Sequence, residues 1–207
     1  MYALIENNEI KKIYNKPRAL TIGDIQYPSN IFSLWSKEEK EAKGIYEVVF
    51  DNSNKKDEAY YINTNQSFNF ADGKVTASFG TSTAKLLEDR NEVDEAGEPL
   101  LDDKGNQIVT KGLKSQKKDI IKQQASGLLA PTDWYVIKAT DVAEYSVPSA
   151  VATFRSDVRT KSNEMETAID NASDVDALAT LYAYVNTGTE ENPVMERPLG
   201  EFPILEI

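Results

Sequence analysis

Short runs of alternating apolar and polar residues fill residues 1–83 and predict β-strands. Tyr2–Glu6 and Glu9–Tyr14 flank Asn7-Asn8, and two Asn residues tolerate the positive φ angles of a two-residue hairpin turn. Asp72-Gly73 predicts a second hairpin. The pattern therefore predicts a small β-rich domain over residues 1–83.

Two further signals lie within this domain. Ser36-Lys-Glu-Glu39 is a capping box that begins a short helix, and Gly44 marks its end. Aromatic side chains usually dominate small cores, so we expect an aromatic core here. The alternative use of these rings is a platform that binds a sugar. The rings belong to Trp35, Tyr46, Phe50, Phe68, Phe70 and Phe79.

From Lys111 onward the apolar residues recur at helical spacing. The first helical stripe ends at Pro131, and a second begins near Pro148. A third, short helix follows a capping pattern at Ser173-Asp-Val-Asp176. These signals predict a helical domain over residues 111–185. The first stripe comprises Leu113, Ile120, Ile121, Ala125, Leu128 and Leu129, and the second Val151, Phe154, Val158, Met165 and Ile169.

The remaining segments have no helical period. Residues 84–110 form an acidic linker, with a hairpin turn predicted at Lys104-Gly105-Asn106. Residues 186–207 are punctuated by Pro and predict an extended acidic tail, with disorder as the alternative. The predicted fold class is α+β: a small N-terminal β-rich domain, then a helical hairpin and an extended C-terminal arm.

The chain contains neither Cys nor His. This composition excludes disulfides, Ser-His-Asp and Cys-His catalysis, and zinc sites built on Cys or His. Asp102 begins a sequence like a calcium loop, but Gln107 replaces the Gly at the sixth position and Leu113 the Glu at the twelfth. We therefore expect no enzymatic activity, no catalytic residue, no metal and no cofactor.

The formal net charge is −11, and residues 131–207 carry 14 acidic against 5 basic side chains. A surface of this sign repels phosphates, so we expect no binding to nucleic acid and favour a basic protein partner. The sequence has no run of about 18 apolar residues, so we expect no transmembrane helix and no membrane partner.

Residues 128–138 read Leu-Leu-Ala-Pro-Thr-Asp-Trp-Tyr-Val-Ile-Lys and lie between the two longer helical stripes. Pro131 ends the first stripe, and Trp134 and Tyr135 follow it directly. We interpret this segment as a packed corner whose two aromatic rings fix the helices relative to each other.

This corner, followed by Arg155-x-x-x-Arg159 on a helix, resembles the C-terminal part of bacteriophage tail-fibre assembly and tail-associated proteins. The start of the chain, Tyr2-Ala-Leu-Ile-Glu, resembles the β-rich leader of such proteins. The resemblance implies a non-enzymatic tail structural protein, made in the host cytoplasm and located in the virion. It would be attached to a tail fibre or baseplate by protein–protein contacts, in several copies. The alternative is a tail-fibre assembly chaperone that is absent from the mature virion.

The candidate partner-binding residues are Trp134, Tyr135, Arg155, Arg159, Phe202 and Ile204. Arg155 and Arg159 lie one helical turn apart, so both can reach one partner. The alternative is an intramolecular pairing with Asp141, Glu144 or Asp157. The apolar end of the tail, which carries Phe202 and Ile204, docks either on a partner or back onto its own chain.

Overall fold

The computed structural model describes residues 1–206, and the chain divides into two compact units between Thr83 and Ala84. The first unit is mainly β and the second mainly helical, which confirms the predicted α+β class. Residues 84–110, 111–185 and 186–206 all belong to the second unit. None of the described helices has both the length and the apolar composition needed to cross a membrane.

The first unit is built around one five-stranded sheet. In chain order, its elements are β1 (Tyr2–Glu6), β2 (Glu9–Tyr14), β3 (Leu20–Ile22), β4 (Ile25–Tyr27), α1 (Ile31–Leu34), α2 (Lys37–Glu41), β5 (Ile45–Asp51), β6 (Tyr61–Ile62), β7 (Ser67–Ala71), β8 (Lys74–Ser78) and the first residue of β9 (Thr83–Ala84). The sheet has the order β2-β1-β5-β8-β7. The β5–β8 pair is parallel, and the other neighbouring pairs are antiparallel.

Local sequence signals set the two hairpins of this sheet. Asn7 and Asn8 have φ angles of 54° and 66°, and Asp72 and Gly73 have φ angles of 52° and 68°. Two consecutive residues with positive φ are the signature of a type I′ turn, whose twist matches that of the strands. Both predicted hairpins are confirmed.

The capping box that begins α2 is also confirmed. The Glu39 amide donates to Ser36 Oγ at 3.2 Å, and the Ser36 amide donates to Glu39 Oε2 at 2.7 Å. Gly44 follows this helix with a φ of 76°, and its carbonyl accepts a 2.7 Å hydrogen bond from the Ile5 amide. A Cβ at this position would lie 2.3 Å from the Ile5 carbonyl oxygen, so only Gly fits.

The six rings that we expected to form the core of the first unit are not its buried residues, and the prediction is wrong for them. The core consists of two clusters, one on each face of the sheet: one is built on aliphatic strand residues, and the other combines aliphatic side chains with the buried rings of Tyr14 and Phe32. Val75 on β8 is fully buried, whereas Phe50 on β5 is 47% exposed. Trp35 and Phe70 are only partly buried at the margins of the clusters. Close strand packing favours branched aliphatic side chains, and ring content alone does not show which face of a strand is covered.

The second unit is a pair of long helices with short additions. In chain order, its elements are β10 (Arg90–Asn91), β11 (Val109–Thr110), α3 (Leu113–Leu129), a 3-10 turn (Ala130–Thr132), α4 (Asp133–Asp141), α5 (Ser149–Asp170), α6 (Val175–Tyr182), β12 (Val185–Asn186) and β13 (Met195–Glu196). Lys118 near the start of α3 pairs with Asp170 at the end of α5 at 2.7 Å, so the two helices run antiparallel.

The apolar stripe predicted for α5 is confirmed, since all five of its residues are buried. On α3 the prediction is wrong at Ile120, which is 45% exposed. The predicted cap of α6 is displaced by one residue. The Asp174 carboxylate, not the Ser173 hydroxyl, accepts the Ala177 amide at 2.7 Å. A carboxylate at this position also favours the positive end of the helix dipole.

We expect Gly44→Ala to lower the free energy of unfolding of the first unit by about 3 kcal/mol, because it combines a strained φ with a backbone clash. Gly73→Ala is the matched control. Its φ is also positive, but an added Cβ has nothing within 4 Å, so we expect a loss of about 1 kcal/mol. Urea unfolding followed by Trp35 fluorescence in a Trp134→Phe background measures both. Equal losses would contradict the role given to the Gly44–Ile5 contact.

Candidate protein-interaction site

The corner between α3 and α4 is a single 3-10 turn. Pro131 has no N–H to donate, so the α-helical hydrogen-bond ladder cannot continue through it. The chain instead turns once over Ala130–Thr132 and begins α4 at Asp133. Residues 132–138 are therefore helical.

The Arg155 guanidinium on α5 binds three groups of this corner. Its Nη1 donates to the Leu129 carbonyl at 3.0 Å and to Thr132 Oγ1 at 2.5 Å, and it pairs with Asp133 Oδ1 at 2.8 Å. The Thr132 hydroxyl in turn donates to the Leu129 carbonyl at 2.7 Å. We call Leu129, Thr132, Asp133 and Arg155 the corner network.

The corner network stabilises the C-terminal end of α3 electrostatically. The last carbonyl groups of a helix lack intrahelical donors and carry a partial negative charge, which a cation stabilises. Arg155 supplies both the donor and the charge at the end of α3, and its contact with Asp133 reaches the first residue of α4. The start of α4 is therefore held against α5 by a buried side chain.

Trp134 and Tyr135 do not form a packed joint, so our interpretation of the corner is corrected. Their rings lie against each other, with centroids 3.7 Å apart, but Trp134 is 50% exposed. All nine residues of α4 are exposed or partly buried. The sequence showed two large rings after a Pro and could not show that Arg155, rather than the rings, makes the contacts of the corner.

Arg155 and Arg159 do not point to a common partner. Arg155 is buried in the corner network, whereas Arg159 is exposed and donates from Nη1 to the Arg155 carbonyl at 3.1 Å. An intramolecular ion pair was one of the two expectations for these residues. The acid that Arg155 binds is Asp133, not one of the three acids expected from the sequence.

The C-terminal arm docks on its own chain as far as it is described. Phe202 and Leu205 pack against a cluster of Ala125, Phe154 and Val158 on α3 and α5. Ile204, by contrast, is 86% exposed. Ile207, the last residue of the predicted arm, lies outside the described residues.

Two polar contacts hold the start of this arm. Glu201 pairs with Arg197 at 2.8 Å and accepts the Tyr184 hydroxyl at 2.6 Å. That hydrogen bond raises the pKa of Tyr184, because the carboxylate favours the protonated phenol. A groove of about 440 Å³ lies beside the arm, and its lining includes Leu128 and Ile204.

The most exposed apolar surface near the corner belongs to α4 and its C-terminal end. We call it the α4 face. Its large apolar side chains are between 41% and 61% exposed, and they belong to Trp134, Val136, Ile137 and Val142. Lys138 lies beside them, with its Nζ 4.3 Å from the centroid of the Tyr145 ring. These exposed side chains can make apolar contacts with another molecule.

Within residues 1–206, no group of three or more Asp, Glu, His or Cys side chains is arranged to hold a metal. Asp102, which begins the calcium-like sequence, instead accepts the amides of Lys104 and Asn106 at 2.9 Å each. The Asn106 side-chain amide, which donates to Asp102 Oδ2 at 3.1 Å, and these backbone amides lower the pKa of Asp102. Together they build the hairpin turn predicted there, which is confirmed.

The sequence reasoning missed Thr132 as a structural residue. It is only 2% exposed and links the Leu129 carbonyl to Arg155, but a lone Thr before an Asp signals nothing more than a helix cap.

Comparison of the chain with protein-family models, with curated proteins and with solved structures found no match.

We expect Arg155→Met to lower the free energy of unfolding of the second unit by about 2 kcal/mol, because buried acceptors lose a charged donor. Met keeps most of the side-chain length and removes only the guanidinium chemistry. The control is Arg159→Met one turn away, which should change stability by less than about 0.5 kcal/mol. Urea unfolding followed by circular dichroism at the helical band measures both. A neutral Arg155→Met would contradict the corner network.

Proposed function

We propose that this chain is a non-enzymatic structural protein of a bacteriophage tail, attached to a fibre or baseplate through the α4 face. Two lines of argument support the proposal. One is the resemblance of residues 128–138 and of Arg155-x-x-x-Arg159 to phage tail proteins. The other is the exposure of α4 itself, which is the observation that carries the proposal.

A nine-residue helix with large apolar side chains and no buried residue is costly to leave in water. Contiguous exposed apolar patches on soluble proteins mark interaction sites. Trp and Tyr are also the side chains that most often dominate binding energy at interfaces. On α4, Trp134 and Ile137 lie three positions apart and therefore share one side of the helix, and the Tyr135 ring lies against that of Trp134.

The corner network makes this surface suitable for tight contact. Arg155 fixes the start of α4 on α5, so a partner does not have to order the helix when it binds. Pre-ordered elements bind with a smaller loss of conformational entropy. In this proposal Arg155 positions the interface, and Trp134 with its neighbours makes the contact.

The charge distribution narrows the class of partner. Residues 131–207 carry 14 acidic and 5 basic side chains, so the proposed neighbours are proteins with basic surfaces rather than nucleic acid. Several copies in one assembly would make many such contacts, each weakened by salt. The attachment is therefore apolar at α4 and electrostatic around it.

We expect the double variant Trp134→Ser with Ile137→Ser to reduce incorporation into purified particles by about tenfold or more, with its thermal unfolding unchanged. Mass spectrometry of particles of the phage that carries the gene measures incorporation. The matched control is Ile25→Ser with Leu34→Ser, which removes two exposed apolar side chains from the first unit. That control should be incorporated like the wild type.

The outcomes separate the two functions expected from the sequence. If the wild-type protein is absent from purified particles but fibres fail to assemble without it, the protein is an assembly chaperone and not a component of the virion. If the α4 variant is incorporated normally, α4 is not the contact surface. Equal losses from both double variants would show a general effect of surface polarity.

A further inference from the structure

Residues 90–110 form a small closed β arrangement that we call the β-triangle. The Glu92 amide donates to the Ile108 carbonyl at 2.9 Å, and the Leu100 amide donates to the Glu92 carbonyl at 2.9 Å. The Ile108 amide completes the ring by donating to the Leu100 carbonyl at 2.8 Å. Three chain segments are thus joined in a cycle.

One side chain fills the middle of this cycle. The Gln107 amide nitrogen lies 2.7 Å from the Glu92 carbonyl, 3.1 Å from the Leu100 carbonyl and 3.0 Å from the Ile108 carbonyl. The main-chain groups of Glu92, Leu100 and Ile108 already bond one another, so a partner cannot add a strand by pairing with them. Recognition at the β-triangle must use its side chains.

The sides of the β-triangle are connected by two equivalent turns. Asp94 accepts the amides of Ala96 and Glu98, and Asp102 accepts those of Lys104 and Asn106. Gly97 and Gly105 follow with φ angles of 85° and 81°. The sequence carries this as an eight-residue repeat: Val-Asp-x-x-Gly-x-x-Leu from residue 93, then Leu-Asp-x-x-Gly-x-x-Ile from residue 101.

The β-triangle is attached firmly to the first turn of α3. Asp89 accepts the Gly112 amide at 2.8 Å and the Ser115 hydroxyl at 2.9 Å, which lowers its pKa. Lys114, itself buried, donates to Glu88 and to the Asp170 carbonyl on α5. These bonds hold the chain immediately before the β-triangle against α3 and α5.

The β-triangle exposes a set of aliphatic side chains. Each is between 40% and 56% exposed, and they belong to Val93, Leu100, Leu101, Ile108 and Val109. An apolar set held rigid in water can be covered at little cost in conformational entropy. The β-triangle is therefore suited to a partner that supplies apolar side chains.

The charges around this apolar set decide what covers it. Residues 90–110 contain six acidic and two basic side chains. Glu92, Asp94 and Asp102 have hydrogen-bond or ion-pair partners within the segment. In the described chain, the exposed carboxylates of Glu95, Glu98 and Asp103 have no side-chain partner.

These carboxylates disfavour two possible occupants. A second copy of the chain would bring like charges together, and nucleic acid would bring phosphates. We propose that the β-triangle is a docking surface for a protein segment that alternates basic and apolar side chains. This surface is distinct from the α4 face, and the proposal does not depend on the phage function.

The test uses the full chain labelled with ¹⁵N and a synthetic peptide of alternating Lys and Val as the probe. We expect amide shifts that change on binding to lie within residues 90–110. Raising the ionic strength from about 0.01 M to about 0.15 M shortens the screening length from about 30 Å to about 8 Å, so affinity should fall. A peptide of alternating Glu and Val should not bind.

Two double variants test separately the apolar and the electrostatic contributions to binding. Leu101→Ser with Val109→Ser removes apolar contact, and Glu95→Lys with Glu98→Lys reverses charge. Each should weaken peptide binding by about tenfold. The matched control, Glu190→Lys with Glu191→Lys, makes the same charge change elsewhere in the second unit and should stay within about twofold of wild type. Retained amide shifts of Gly97 and Gly105 verify that the turns are still folded.

Binding that moves shifts elsewhere, or that the control weakens equally, would overturn the proposal in favour of general attraction to an acidic chain. Undetectable binding of the Lys-Val peptide would overturn it as well. The Trp134→Ser, Ile137→Ser variant should bind this peptide like wild type, so failure of the β-triangle and failure of the α4 face are distinguishable.

Discussion

The Arg155 guanidinium connects the end of α3 to the start of α4 by binding the Leu129 carbonyl and the Asp133 carboxylate. This cation is nearly buried, so its hydrogen bonds act in a medium that screens them less than water does. The conformation of the corner depends on it. The aromatic residues that follow in sequence take their places on α4 as a consequence and leave their rings in solvent.

Polar bonds fix the backbone and leave apolar side chains outside at two places in the second unit. Hydrogen bonds from Arg155 fix the backbone at the start of α4. In the β-triangle, the backbone is fixed by the Gln107 side chain and by the turns at Asp94 and Asp102. A domain core works in the opposite way, with apolar side chains inside and polar groups outside. Such surfaces keep their shape without a partner and still have apolar area to bury when one arrives.

Much of the fold follows from local sequence signals, because their physics is local. The Asn7-Asn8 turn and the Ser36 capping box involve residues within three positions of each other, and the α5 stripe reflects one helix. The corner network was not predictable, because Arg155 and Leu129 are 26 positions apart and many polar side chains compete for any carbonyl. The β-triangle did leave a signal, but its eight-residue repeat is shorter than the repeats usually sought in globular chains.

The parallel pairing of β5 with β8 has a consequence for how the first unit forms. β1–β2 and β7–β8 are hairpins that close locally, whereas β5 must join both, and no tight turn can connect it to a parallel neighbour. Non-local pairings of this kind are slow, because a long loop is ordered before they form. During synthesis the sheet therefore stays incomplete until Ser78 has left the ribosome, with the β5 edge open to other chains.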